Sequence, residues 1–143
     1  MGEWIVFRTP GDVVYVFDSA AHKPDLQYRS DGLRTSVLSE IRYRGGYAQR
    51  VAYSGDLAVR VADNLGRWLE FDYSRPGSFS NLISRVRTSD GRVLKYTYQN
   101  RFPALTTSAT IDYWALSSVT YPDATANDDA DNPKVTYEYL DAV

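Results

Sequence analysis

The sequence predicts an all-β protein: antiparallel β-hairpins in series, forming one curled sheet. Three observations carry that expectation. The first is composition: 143 residues hold 12 Tyr, 5 Phe and 3 Trp, and aromatic and β-branched residues suit the pleated, half-buried surface of a sheet. The second is alternation. In "VLKYTYQ", Leu94, Tyr96 and Tyr98 share one face and Lys95 and Thr97 the other. The third is repetition: "GRWLEFDYS" at residues 66–74 is answered by "GRVLKYTYQ" at residues 91–99.

The repeat has a template. An aliphatic residue lies five positions before a glycine, an aromatic or Val five after it, and Tyr seven after it. Ile41, Gly46, Val51 and Tyr53 obey it, as do Val61, Gly66, Phe71 and Tyr73, and Val86, Gly91, Tyr96 and Tyr98. Two weaker copies flank these. At the front, Val6 lies five before Gly11, and the strand ends one residue early, at Tyr15 and Phe17. At the back, Val119 takes the aliphatic place, and "TANDDADNP" delays the strand "KVTYEY", which closes on Tyr137 and Tyr139. The chain therefore reads as one domain, 1–143, of about five units, anchored near residues 11, 46, 66, 91 and 124. Insertions fall at 18–36, 99–115 and 124–133.

Each unit reads as a hairpin. Leu69, Phe71 and Tyr73 oppose Trp68, Glu70 and Asp72, and Val135, Tyr137 and Tyr139 oppose Thr136 and Glu138. Asp90-Gly91 and Gly45-Gly46 stand where tight turns need positive φ. Residues 31–40 hold a weak helical pattern, but their Ser, Thr and Gly content reads as a loop. "TIDYWALSS", residues 110–118, reads as an added strand or an edge-covering plug. Its Tyr113 and Trp114 are candidates for a partner contact, since such residues anchor interfaces. A strand-rich unit of about 20 residues cannot bury its apolar face alone, so its neighbours must cover it. A series of such units also has two exposed edges unless it is closed or capped, which predicts a piece of something longer.

Charge and composition narrow the function classes. A net charge of −2 and a pI near 5.3 oppose broad attraction to nucleic acid or anionic lipid. Without cysteine there is neither disulfide nor thiolate metal site. No apolar run approaches the roughly 18 residues of a membrane span. The opening "MGEWIVFRTPGD" lacks the basic flank and apolar stretch of a signal peptide.

Catalytic and metal constellations are weak. His22, the only histidine, has no second His to form a base or ligand pair and reads as a surface loop residue. Asp123, Asn127, Asp128, Asp129, Asp131 and Asn132 could offer oxygen ligands to calcium. The calcium-loop glycine is missing from their spacing, so a solvated loop is the reading and calcium the alternative. Glu70 and Asp72 share a strand face as a glycosidase pair would, yet that face needs polar residues for solubility anyway. The aromatic row Phe71, Tyr73, Tyr96, Tyr98, Tyr137 and Tyr139 could stack on sugar rings. Its regular repetition reads instead as register-fixing packing, since a binding site need occur only once. No catalytic residue, metal or cofactor is expected.

"RVADNLGRWLEFDYS", "RVRTSDGRVLKYTYQ" and "SSVTYPD" resemble the YD repeats of the rearrangement hot spot (Rhs) proteins, the teneurins and bacterial wall-associated repeat proteins. The resemblance spans residues 4–139 and is strongest over 37–98. It makes Gly46, Tyr53, Gly66, Arg67, Phe71, Tyr73, Gly91, Arg92, Tyr96, Tyr98, Tyr137 and Tyr139 the structural motif residues. Literal Tyr-Asp is absent: Ser54, Ser74 and Gln99 follow the three central tyrosines, and only Phe17-Asp18 and Phe71-Asp72 approximate it. The resemblance implies a non-enzymatic section of a β-shell that encloses and delivers a C-terminal effector, often a toxin. It implies a bacterial protein, exported or at the cell surface as part of a larger chain. Partners would be the remaining repeats, the enclosed effector and secretion-apparatus proteins. The alternative is a cell-surface adhesion or carbohydrate-binding module.

Overall fold

The structure is a computed structural model, and it describes residues 4–18, 36–75, 81–100, 114–122 and 131–139. Ten strands account for most of them: β1 (Trp4–Arg8), β2 (Val14–Asp18), β3 (Val37–Arg42), β4 (Ala48–Ser54), β5 (Leu57–Asp63), β6 (Trp68–Ser74), β7 (Leu82–Thr88), β8 (Val93–Asn100), β9 (Trp114–Thr120) and β10 (Lys134–Thr136). The protein is all-β, and its strands hydrogen-bond in chain order, β1 through β10, in one sheet. The chain divides inside β6 into two units, Met1–Glu70 and Phe71–Val143.

In the first unit, pairing within a hairpin differs from pairing between hairpins. Inside its own hairpin β3 meets β4 at three positions, Glu40 opposite Arg50, Ile41 opposite Gln49 and Arg42 opposite Ala48. β5 meets β6 at three equivalent positions. The junction between successive hairpins is longer: β4 pairs β5 at six positions, with a bulge after Ala52. β2 pairs β3 at five, with a bulge after Val16. A bulge inserts one unpaired residue and bends the strand; here the extra residues are Ser39 and Val59. Directly opposed residues share a face. One face thus carries Phe7, Tyr15, Ile41, Val51, Val61 and Leu69, and the other carries Glu40, Arg50, Arg60, Trp68 and Glu70.

The second unit repeats the scheme. β7 meets β8 at three positions centred on Val86 opposite Leu94. β8 pairs β9 at six, with a bulge after Thr97 that leaves Ser117 unpaired in the ladder. β9 meets β10 at three, with Val119 opposite Val135. Among the described residues the buried apolar side chains are few: Val16 at 3%, Val86 at 8% and Val119 at 4% exposure. The last two occupy the aliphatic position of the template. A strand series this thinly covered derives its order from backbone pairing and repeated local contacts more than from a deep core.

Four details differ from the sequence reading. Residues 37–40 belong to β3 rather than a loop, because Val37, Leu38 and Ile41 supply β-formers that outweigh the local Ser content. The first turn centres on Asp12, not Gly11: Asp12 has φ 59. Positive φ falls on Gly91 but not on Asp90, since only the residue closing this turn type must be left-handed. β10 ends at Thr136, short of the "KVTYEY" strand, although the Tyr137 amide still donates to the Ser117 carbonyl at 2.9 Å. The added strand expected in 110–118 is β9, which begins at Trp114. Among the described residues no helix is long and apolar enough to cross a membrane.

Candidate functional site

The features that recur at fixed places in the unit are the turn, the bulge and the tyrosine. The turn comes first. In four hairpins an amide donates to the carbonyl four residues on: Thr9 to Val13, Tyr43 to Tyr47, Asp63 to Arg67 and Thr88 to Arg92, at 2.8–3.0 Å. The returning bond runs from Asp12, Gly46, Gly66 and Gly91 to the carbonyl three residues back. Gly46, Gly66 and Gly91 have φ of 89, 88 and 85°, where a side chain is strained and glycine is not.

The first residue of the turn supplies a brace. The Thr9 hydroxyl accepts from the Val13 amide at 3.3 Å, an Asp63 carboxylate oxygen from the Arg67 amide at 2.9 Å, and the Thr88 hydroxyl from the Arg92 amide at 3.1 Å. Ser, Thr and Asp favour such local bonds. The Arg of each Gly-Arg pair adds a second clamp. Arg67 Nε donates to Asp63 at 2.7 Å, and Arg92 Nε lies 3.2 Å from Asp90. Withdrawal from water works against charge on Asp63, but the Arg67 amide and guanidinium and the Leu65 amide outweigh it and hold its carboxyl below the usual range. Arg67 and Arg92 thus clamp their own turns.

The tyrosine that closes the unit has one job in every copy whose hydroxyl geometry is described. Tyr53 donates to the Leu38 carbonyl at 3.0 Å, Tyr98 to Ile83 at 2.7 Å and Tyr139 to Leu116 at 2.8 Å. Each acceptor sits on the first strand of the same hairpin, beyond the last of its three ladder pairs. There no ladder pair joins the two strands, and the tyrosine hydroxyl supplies a bond instead. β1 and β2 make the contrast: they pair at five positions, and Ser19 holds the tyrosine's place in the sequence. Burial and the neighbouring Tyr96 raise the Tyr98 pKa, and burial alone raises that of Tyr73. Two serines of the first strands contribute as well, Ser39 at its bulge and Ser84 on β7. Ser39 donates to the Val16 carbonyl at 3.0 Å and Ser84 to that of Asp72 at 3.2 Å, each tying a hairpin to the strand before it.

The opposite face carries ion pairs. Glu40 binds Arg42 at 2.6 Å and Arg50 at 3.4 Å, and the Arg42 hydrogen bond leads the effects that keep its carboxyl below the usual value. Arg60 donates to Glu70 at 2.6 Å and lies 4.7 Å from the Trp68 ring centre. Arg87 and Arg85 lie 2.9 and 3.9 Å from Asp72. Glu70 and Asp72 are each engaged by arginine.

The remaining expectations divide. His22, Tyr113, Asp123, Asn127, Asp128 and Asp129 lie outside the described residues. Trp114 opens β9, and its buried indole nitrogen has no hydrogen-bond partner among the described residues. Among the described residues no three His, Cys, Asp or Glu side chains group as a metal site would require. The sequence reading missed the bracing residues Thr9, Asp63 and Thr88 and the strand-tying serines Ser39 and Ser84. A signal for the first existed: each lies three positions before the left-handed residue. No protein-family model, curated protein or solved structure matches the chain.

Proposed function

We propose that this chain is a non-enzymatic structural section of an Rhs-type YD-repeat shell, built to enclose and deliver a C-terminal effector. The observation that carries the reading is the use of the repeated tyrosines. Tyr53, Tyr98 and Tyr139 direct their hydroxyls to carbonyls of their own hairpins. A row of aromatics kept for sugar or base stacking needs open ring faces and no hydroxyl bond to its own backbone. Here those ends hold the strands together, and the repeat serves the sheet. On this reading the partners are the remaining repeats, the enclosed effector and the apparatus that exports the whole bacterial protein.

The test is the mass of the native product in its source cell, by immunoblot with an antibody raised against residues 37–98. The shell reading expects a band far above 16.2 kDa, with the effector encoded downstream. A product near 16.2 kDa that binds cell-surface glycans would overturn it in favour of the adhesion reading.

A further inference from the structure

The outer edges of β1 and β10 are two halves of one junction, and we propose that a second copy of this chain docks through them, β10 of one copy on β1 of the next. Both edges carry exposed apolar side chains, with Arg8 on one and Lys134 and Glu138 on the other. Ile5, Val6 and Phe7 are 56%, 62% and 59% exposed, and Val135, Tyr137 and Tyr139 are 43%, 39% and 40% exposed. Free edges in native sheets are ordinarily blunted by charge, proline or cover. Among the described residues no charge, proline or covering segment guards the three central residues of β1.

The occupant follows from the register already used twice inside the chain. At each full junction a second strand of one hairpin pairs with the first strand of the next. Val51 faces Val61 and Tyr96 faces Val119; Ala52 faces Arg60 and Thr97 faces Ser118; Arg50 faces Ala62 and Lys95 faces Thr120. β10 belongs to the second-strand class and β1 to the first. Carrying the register across, with the docked copy prolonging β10 by two residues, places Tyr137 opposite Phe7, Glu138 opposite Val6 and Thr136 opposite Arg8. Tyr137 against Phe7 is an aromatic cross-strand pair, and Glu138 and Arg8 become diagonal neighbours of opposite charge. A β1–β1 or β10–β10 contact would join two strands of one class, a pairing that occurs at no described junction. The contact is head to tail, so each added copy presents a fresh edge. It depends on the register alone and not on the shell reading.

The test is sedimentation velocity on the full chain from micromolar to millimolar concentration, with Val6→Lys and Tyr137→Lys. The unaltered chain should gain mass with concentration. A lysine on either edge should raise the concentration for half-association by at least about tenfold. Val6→Lys keeps a working β10 and Tyr137→Lys a working β1, so the two variants mixed should form a one-to-one complex that neither forms alone. That complex also establishes that both variants fold. A chain that stays monomeric throughout overturns the proposal. So does a variant that associates like the unaltered chain, or a mixture that does not combine.

Discussion

Replacing Tyr98 by phenylalanine isolates the hydroxyl that bridges β8 to β7. The ring stays, so packing is unchanged, and what is lost is the 2.7 Å bond to the Ile83 carbonyl. An intramolecular hydrogen bond contributes about 1 kcal/mol net, and an orphaned carbonyl costs more the less water can reach it. Tyr98 is half-buried, so water recovers part of that loss, and the expected cost is about 1 kcal/mol. For a unit of this size that lowers Tm by roughly 4–8 °C. Tyr98→Ala removes the ring as well. A fully buried aromatic truncated to alanine costs about 3–5 kcal/mol, and half-burial scales this to about 2. Tyr139→Phe sets the lower bound, because its hydroxyl is more exposed and water replaces the bond at a cost below about 0.5 kcal/mol. Urea unfolding followed by intrinsic fluorescence measures all three. Damage should be greatest for Tyr98→Ala, smaller for Tyr98→Phe and smallest for Tyr139→Phe. If Tyr98→Phe matches the unaltered chain while Tyr98→Ala loses its full amount, the tyrosines contribute only ring packing and the strand-bridging role is wrong.

Gly66→Ala should cost about 1 kcal/mol in thermal unfolding, because φ of 88° strains any side chain while the new Cβ meets nothing within 4 Å; Asp12→Gly, at φ 59, should be neutral or mildly stabilising. Alkali should destabilise the second unit. The Tyr98 pKa is raised in the fold, so its contribution is complete below the ordinary value of 10.0 and is lost as pH rises through the folded value; Tyr98→Phe should flatten that part of a stability–pH curve. Acid acts through Glu40 in the other direction. Its pKa is depressed, so its contribution is present above the ordinary 4.5 and lost as pH falls through the folded value, and Glu40→Gln should remove that share of the slope. Arg60→Lys should destabilise the first unit by about 0.5–1 kcal/mol in urea, since an ammonium loses the planar contact with Trp68.

How much of this is legible follows from what each interaction leaves in a sequence. The turn glycines at 46, 66 and 91 are readable because left-handed backbone selects one residue type. Strand faces are readable because a period of two is imposed by the pleat, and Leu69 and Glu70 fall where alternation puts them. The first turn reads one residue early because Asp also tolerates the left-handed region, so Gly11 draws the anchor away from Asp12. β3 is hidden over 37–40 because a bulge at Ser39 interrupts the alternation that announces a strand. β10 reads as longer than it is because the aromatic spacing of Tyr137 and Tyr139 persists after the ladder stops. Their spacing serves the hydroxyl bond to Leu116, which needs no regular strand.

The same reasoning explains why tyrosine, and not phenylalanine, recurs at the end of the unit. Pairing alternates between three positions within a hairpin and five or six across a junction. Junction pairing therefore outlasts hairpin pairing, and the first strand of each unit follows the strand before it. That leaves Leu38, Ile83 and Leu116 beyond the last ladder pair of their own hairpins, and unmet backbone groups are costly where water is scarce. A phenylalanine could supply the ring but could not meet the carbonyl. Tyrosine does both, with the hydroxyl at the end of a rigid ring. Where β1 and β2 stay together over five pairs, the ladder itself continues, and the sequence places Ser19 there instead. The repeated aromatic is thus the consequence of a sheet whose hairpins bind their neighbours over a longer stretch than they bind themselves.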